Sequence, residues 1–269
     1  MPIIPNVASK VCRHAPNELG RDFVVGDIHG CYDDFMKLLS FVGFDKTKDR
    51  VFSVGDLIDR GEQNVECIDL VYEKWFFATR GNHEDMFINA VLNGDSTANI
   101  VLTQNGGAWR YNHLHQQLHD AALALNTLPL IQVVETQAGK RYNIVHAEFV
   151  RWGEQFTDAD IDDFTLTEHD IDAAMWGRRL YSCAGGRSEF YQRAGELSLT
   201  IVGHTPTFPP IIRGQQLYID GGAVFSRYAT IPMDSALVMF ELDAEILHFF
   251  KPHDTIYETL PLAEVERIP

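Results

Sequence analysis

"FVVGDIHGCYDDFMKLL", residues 23–39, runs from a short apolar segment through glycine, an Asp-x-His pair and a second glycine into an amphipathic stretch. Residues 23–26 read as a buried strand. Phe35, Leu38, Leu39 and Val42 then recur at i, i+3, i+4 and i+7, the spacing of one helical face. Two residue types that bind metals, Asp27 and His29, therefore stand where a strand hands over to a helix.

The same plan repeats twice. Residues 51–54 (Val-Phe-Ser-Val) begin a second unit with Val65, Ile68, Val71 and Tyr72 as its helical stripe. Residues 75–79 (Trp-Phe-Phe-Ala-Thr) begin a third, followed by Met86, Ala90 and Val91. Strands alternating with helices in this way argue an α/β fold with parallel strands at its centre. Residues 96–128 read as helical with an "NGGAW" break. A hairpin is expected from 130–135 and 140–145 across the "TQAG" turn. Further strands are expected at 197–202, 216–219, 235–242 and 245–250, and loops with short helices over the polar, acidic stretch 151–195. The strand-rich second half suggests two sheets packed face to face with helices outside. No linker-like run divides the 269 residues, so one domain is expected.

A hydrophobic share of 45% with 22% charged residues is ordinary for a globular protein and allows a sizeable core. No run approaches the roughly 18 to 20 apolar residues of a membrane span, and the first twenty residues contain no secretory apolar core. Cytoplasmic residence is the expectation. Cys12, Cys31, Cys67 and Cys183 are widely spaced, signal no disulfide framework, and are expected as thiols. A formal charge of −16 without a Lys/Arg run argues against nucleic-acid and membrane partners.

Each β-to-α junction of the first third carries similar chemistry. "GDIHG" (26–30) places Asp27 and His29 at a strand's carboxyl end, "GDLIDRG" (55–61) places Asp56, and "RGNHE" (80–84) places Asn82 and His83. Ligand crevices of open α/β sheets lie at those ends, and flanking glycines let backbone approach closely. "YNIVHAE" and "LTIVGHTP" deliver His146 and His204 in the same manner. Singly, each has a bland reading as a helix cap, a turn residue or a surface histidine. Their coincidence at five strand ends does not. Asp27, His29, Asp56, Asn82, His146 and His204 are too many donors for one tetrahedral zinc and include no thiolate. Two higher-coordinate cations bridged by a carboxylate suit the set, with Asp56 between the two groups in sequence.

Together "GDIHG", "GDLIDRG", "RGNHE", "VHAE", "GHTP" and "LYIDGGAVF" resemble the calcineurin-like metallophosphatase family of phosphoprotein phosphatases, most closely its lambda-type phage and bacterial serine/threonine members. The likeness spans about residues 23–240 and includes "NVEC" (64–67); the first twenty residues lie outside it and have no reading. It implies a central β-sandwich of two mixed sheets flanked by helices. It implies a first metal on Asp27 and His29, a bridge at Asp56, and a second metal on Asn82, His146 and His204. Manganese is the usual activating ion of such enzymes, and iron or zinc are alternatives.

Two cations can activate a bridging water for in-line attack on phosphorus, with no covalent phosphoenzyme. A serine or threonine alkoxide leaves poorly unless protonated, which makes His83 the candidate general acid and Asp59, by resemblance, its partner. Arginine forks suit the outer phosphate oxygens: Arg60 first, then Arg178 in "WGRRL", with Arg179 as the alternative register and Asn82 as a further phosphate contact. The expected substrates are phosphoserine and phosphothreonine in proteins, with phosphotyrosine also open; no partner protein can be inferred. A symmetrical dinucleoside tetraphosphate hydrolase is the rival enzyme, against which Asp59 argues, and a catalytically silent metal-binding adaptor is the third reading.

Other features carry less. His115 and His119 in "HLHQQLH" lack a third ligand and read as a solvated helix face. Asp158, Asp160 and Asp162 begin like a calcium loop, but Asp163 and His169 break the pattern, leaving a solvated acidic run. Thr79 and Gly221 depart from the family pattern, where an apolar residue and a threonine are usual; both bear on stability or loop shape.

Overall fold

Phe23 and Val25 face one side of their strand and Val24 the other, and all three are fully buried. Period-two alternation with both faces covered explains why the run is apolar throughout. The computed structural model describes residues 10–151, 155–182, 196–227 and 234–268. Its strands are β1 (Val11–His14), β2 (Asp22–Val25), β3 (Arg50–Ser53), β4 (Phe76–Ala78), β5 (Ile131–Glu135), β6 (Arg141–Val145) and β7 (Thr200–Val202). They continue with β8 (Ile211–Arg213), β9 (Gln216–Tyr218), β10 (Leu237–Glu241), β11 (Ile246–Lys251), β12 (Ile256–Pro261) and β13 (Glu266–Ile268). The helices are α1 (Tyr32–Phe41), α2 (Asn64–Asp69), α3 (Asn82–Leu92), α4 (Ser96–Gln104), α5 (His115–Leu125), α6 (Asp158–Asp162), α7 (Glu168–Trp176) and α8 (Arg179–Ser182). A 3-10 segment, Gly107–Asn112, separates α4 from α5 at the "NGGAW" break.

The fold is α/β, with two mixed sheets. One runs β12-β11-β10-β2-β3-β4 and the other β1-β5-β6-β7-β9-β8-β13. Between them lies a core to which β2 and β3 give Val24 and Phe52, while the opposite sheet gives Val134, Tyr142, Ile144, Ile201 and Leu217. Truncating a ring such as Phe52 to alanine there would cost roughly 3–5 kcal/mol. On the outside, Phe35, Leu38, Cys67, Met86 and Phe87 of α1 to α3 pack on Phe23, Val25 and Val51. Beyond the other sheet, Ile161, Ile171, Ala174 and Met175 of α6 and α7 cover Val133, Val145 and Val202.

Strands β2, β3 and β4 are mutually parallel, as are β6, β7 and β9. Each parallel set therefore presents its carboxyl ends together, and the motif residues follow those ends.

The second helical stripe is a correction. Ile68 is buried, but Val65 is 40% and Tyr72 67% exposed. The α-helix stops at Asp69 and tightens into a 3-10 turn at Leu70–Tyr72, which turns Cys67, Ile68 and Leu70 inward instead. The acidic run is a second correction. Asp158 accepts from Asn143 and Ser198, Asp160 from Arg151, and Asp162 from Arg13 and Arg141. Asp158 and Asp160 are half-buried and tie α6 to the neighbouring strands and loops, while Asp162 and Asp163 stay exposed as expected. Residues 11–14, outside the motif-bearing region, form strand β1, which pairs in parallel with β5 at the sheet edge. Cys12, Cys31 and Cys67 are free thiols; Cys183 lies outside the described residues.

Candidate active site

Asp27, His29, Asp56, Asn82, His146 and His204 come together at the rim where the two parallel sets end. Asp56 sits at the centre: Oδ2 is 3.5 Å from His29 Nε2 and 3.8 Å from His83 Nε2, and Oδ1 is 3.4 Å from His146 Nε2. Asp27 Oδ2 lies 3.9 Å from His29 Nε2, and its carboxylate accepts the His204 backbone N–H at 3.1 and 3.2 Å. Asn82 Oδ1 is 2.8 Å from His146 Nε2 and 3.0 Å from His204 Nδ1. All six are at most 6% exposed, so bulk water does not screen their charges.

The backbone is bent to achieve this. His29, Asp56, Asp59, Arg60 and His204 all have positive φ, between 44° and 74°. Such conformations cost side-chain-bearing residues of order 1–3 kcal/mol each and persist where surroundings over-determine them. Gly203 is needed for another reason: a Cβ there would meet Asp27 Oδ1 at 1.9 Å.

The donor chemistry fits divalent cations. His29 Nδ1 and His146 Nδ1 lie 2.7 and 3.0 Å from the carbonyls of Ile58 and Val54, so each ring donates there and turns an Nε2 lone pair to the centre. That backbone contact is the usual partner of a metal-ligating imidazole. His146 Nε2 then faces the Asn82 amide oxygen acceptor to acceptor, an arrangement a cation between them resolves. The cluster also draws in a positive group of its own chain. Arg60 Nη1 is 2.5 Å from His29 Nε2 and Nη2 is 3.1 Å from His83 Nε2.

Electrostatics follow from burial and from this crowding. Burial opposes ionisation of Asp56, yet His146, His83, His29 and Arg60 hold its carboxyl far below the ordinary range. Burial, then Asp220 and Asp56, push Asp27 well up. Burial lowers His29, His146 and His204, the last to about 3. His83 moves the other way. Burial lowers it, but the Asp56 and Asp59 carboxylates outweigh that and raise it.

His83 Nδ1 lies 2.6 Å from Asp59 Oδ2, and the Trp109 indole donates to Asp59 Oδ1 at 2.7 Å. Asn64 Oδ1 accepts the Asp59 backbone N–H at 2.6 Å. Arg178 lies at the site's edge, exposed overall, donating from Nε to Thr205 Oγ1 at 3.3 Å and from Nη2 to the His204 carbonyl at 3.1 Å. Arg179 instead begins α8, leaving Arg178 as the arginine beside His204.

Four further residues, not singled out by the sequence pattern, take part in the site. Glu84 closes the "RGNHE" motif and accepts the backbone N–H groups of Asp56, Leu57 and Gly81 at 2.9, 2.8 and 2.9 Å, pinning two motif loops together. Burial and Asp56 push its carboxyl up to about 7. Trp109 and Asn64 both secure Asp59. Asp220, in "LYIDGGAVF", is 2% exposed; burial pushes it up to about 6, and Oδ2 has no hydrogen-bond partner. The two departures from the family pattern are accommodated. Thr79 Oγ1 accepts Gln132 Nε2–H at 2.9 Å, and at Gly221 a Cβ would meet the Ala236 carbonyl oxygen at 2.3 Å. His115 and His119 join no cluster of metal-ligand atoms among the described residues.

The sandwich and this rim define a metallophosphoesterase, and the model of the calcineurin-like phosphoesterase family matches residues 23–214: the chain belongs to that family. It is 34% identical over 216 residues to serine/threonine-protein phosphatase 1 of Salmonella typhimurium strain LT2, covering 78% of this chain and 89% of that one. A shorter match, 40% identity over 72 residues and 26% of each chain, links it to the symmetrical bis(5'-nucleosyl)-tetraphosphatase of Pasteurella multocida strain Pm70. Among solved structures, a candidate diadenosine tetraphosphatase superposes with a TM-score of 0.58 at 17% identity, covering 94% of this chain and 98% of that one, which speaks to the fold alone. The protein is thus a phosphoesterase hydrolase of a family that uses divalent metals. Among the described residues no helix is long and apolar enough to cross a membrane.

Proposed function

We propose that the protein is a serine/threonine protein phosphatase that releases phosphate from phosphoproteins, with phosphotyrosine as a further substrate. The observation that carries this is the buried His83–Asp59 pair at 2.6 Å. A phosphoanhydride expels a stabilised phosphate and needs little help, whereas a serine or threonine alkoxide must be protonated as it leaves. A histidine raised by two carboxylates suits the second reaction.

Divalent cations, manganese by preference, would be held by Asp27, His29 and Asp56 on one side and by Asp56, Asn82, His146 and His204 on the other, where they supply Lewis acidity and an activated water. A donor set of oxygen and imidazole without thiolate suits manganese and equally iron or zinc. His83 gives the leaving oxygen its proton from Nε2. Asp59 keeps the ring in the required tautomer, and Trp109 and Asn64 keep Asp59 in place. Arg60 and Arg178 take the non-reacting phosphate oxygens in bidentate fashion, with Asn82 beside them. For that, Arg60 must swing off His29. Transfer goes directly to water with no phosphoenzyme. Residues 1–269 act as one catalytic domain, and the cytoplasm is the proposed compartment.

The test is manganese-dependent phosphate release from phosphoserine, phosphothreonine and phosphotyrosine peptides beside diadenosine tetraphosphate. Preference for peptides supports the phosphatase. Preference for the dinucleotide, the reaction named for the Pasteurella relative, would overturn it in favour of the tetraphosphate hydrolase. No turnover with cations bound would leave a metal-binding adaptor.

A further inference from the structure

The exposed apolar residues of α2 and of the 3-10 turn after it do not stand free: Val65 and Tyr72 join Trp109, Leu118 and Ala121 along a groove of about 570 Å³ between α2, the 3-10 segment Gly107–Asn112 and α5. Its charged lining is of one sign. Glu62, Glu66, Asp69 and Asp120 border it, with no lysine or arginine, and the first three have no ion-pair partner among the described residues. The groove adjoins the catalytic pair, because Trp109 and Asn64 line it and both hydrogen-bond to Asp59, the partner of His83.

We propose that this groove binds basic side chains of the substrate polypeptide flanking its phosphorylated residue. The proposal rests on the phosphatase reading and names the substrate class within it. An apolar floor with an acidic rim complements a lysine or arginine, whose aliphatic stem covers Val65 and Leu118 while its charged head meets Glu66 and Asp69. Tyr72, 67% exposed, offers a ring face for cation–π contact. The volume accommodates a few side chains of an extended segment. A polyphosphate is disfavoured here, since it would bring its charge against four carboxylates with no lysine or arginine in the lining to receive it.

The experiment compares kcat/KM for two phosphoserine peptides that differ only in carrying lysine and arginine or glutamate on either side of the phosphoserine. The ratio is read in the wild-type protein and in the double variant Glu66→Lys, Asp69→Lys. Reading a ratio within one protein cancels any loss of folded enzyme. The wild type is expected to prefer the basic peptide by about tenfold, chiefly through KM and less so at high salt, and the variant to lose that preference. Equal kcat/KM for both peptides, or an unchanged ratio in the variant, would overturn the proposal. Calorimetric binding of the unphosphorylated basic peptide separates this from the substrate class. If only the dinucleotide is turned over, the phosphatase reading falls; peptide binding that weakens in the double variant would still uphold the groove, and absence of binding would refute it.

Discussion

Asp59 meets His83 at 2.6 Å with both residues at most 1% exposed, so the carboxylate fixes the ring's tautomer and its charge at once. One oxygen serves the imidazole and the other receives the Trp109 indole. The pair is therefore held from both ends.

Removing either member should reduce turnover without emptying the site. His83→Asn is expected to lower kcat by roughly 10²- to 10⁴-fold, the range of general acid catalysis, with bound metal unchanged by elemental analysis. Full activity in that variant would remove His83 from the mechanism. In Asp59→Asn the ring loses a charge that raises its pKa, so the basic limb of the kcat–pH profile should move to lower pH. An unmoved limb would detach Asp59 from the proton.

Asp56→Asn should lose the paired metal site together with activity. The Asp56 carboxylate faces proposed ligands on both sides, His29 Nε2 at 3.5 Å and His146 Nε2 at 3.4 Å. Two tightly bound ions in that variant would contradict the bridging role.

Asp220→Asn removes a buried negative charge next to Asp27. Cation affinity is expected to weaken by about tenfold, as when outer partners of a metal site are altered, and calorimetric titration reads it directly. An unchanged affinity would assign Asp220 to the loop alone, where Oδ1 accepts the Gly222 N–H.

Glu84→Ala leaves three buried backbone donors without their acceptor. A loss of about 3 kcal/mol or more is expected in urea unfolding of the metal-free protein, with Glu84→Gln milder because one acceptor oxygen remains. Equal stability would mean that water replaces the carboxylate at no cost.

Arg151 bridges Asp160 and Asp170 at 2.6 and 2.7 Å. Burial opposes their ionisation, but these contacts and the Thr157 and Thr167 donors hold both carboxyls below the ordinary value. Depressed folded-state pKa values add stability that is present above the unfolded value near pH 4 and lost as pH falls through the folded ones. Arg151→Met should thus flatten the acid dependence of stability below about pH 5. A curve parallel to wild type would place the acid sensitivity elsewhere.

What the sequence disclosed, and what it hid, depends on how much local pattern each element carries. Strands β2 to β4 and the β5–β6 hairpin announce themselves through continuous apolar runs with glycine or turn residues at their ends. The six ligand candidates are visible because Asp, Asn and His are unusual companions for such ends. Strands β8 and β13 are three residues long, and β12 is an edge strand with mostly exposed side chains, so no periodicity marks them. Trp109 and Asp220 reach the site from far along the chain, and nothing local to "NGGAW" or "LYIDGG" shows where they point. Val65 and Tyr72 sit at helical spacing but escape the core because their helix ends early.

Asp27, Asp56 and Asn82 follow strands of one sheet, while His146 and His204 follow strands of the other. Cations held at that rim would therefore act as rivets across the sandwich, available only while both sheets keep their mutual alignment. By mass action, their binding energy adds to the stability of the closed form, and a chelator withdraws it. The consequence is a seam: on metal removal, backbone amides around the strand ends at this rim should begin exchanging with solvent before those at the far end of the same strands, and the two leaves should part there first.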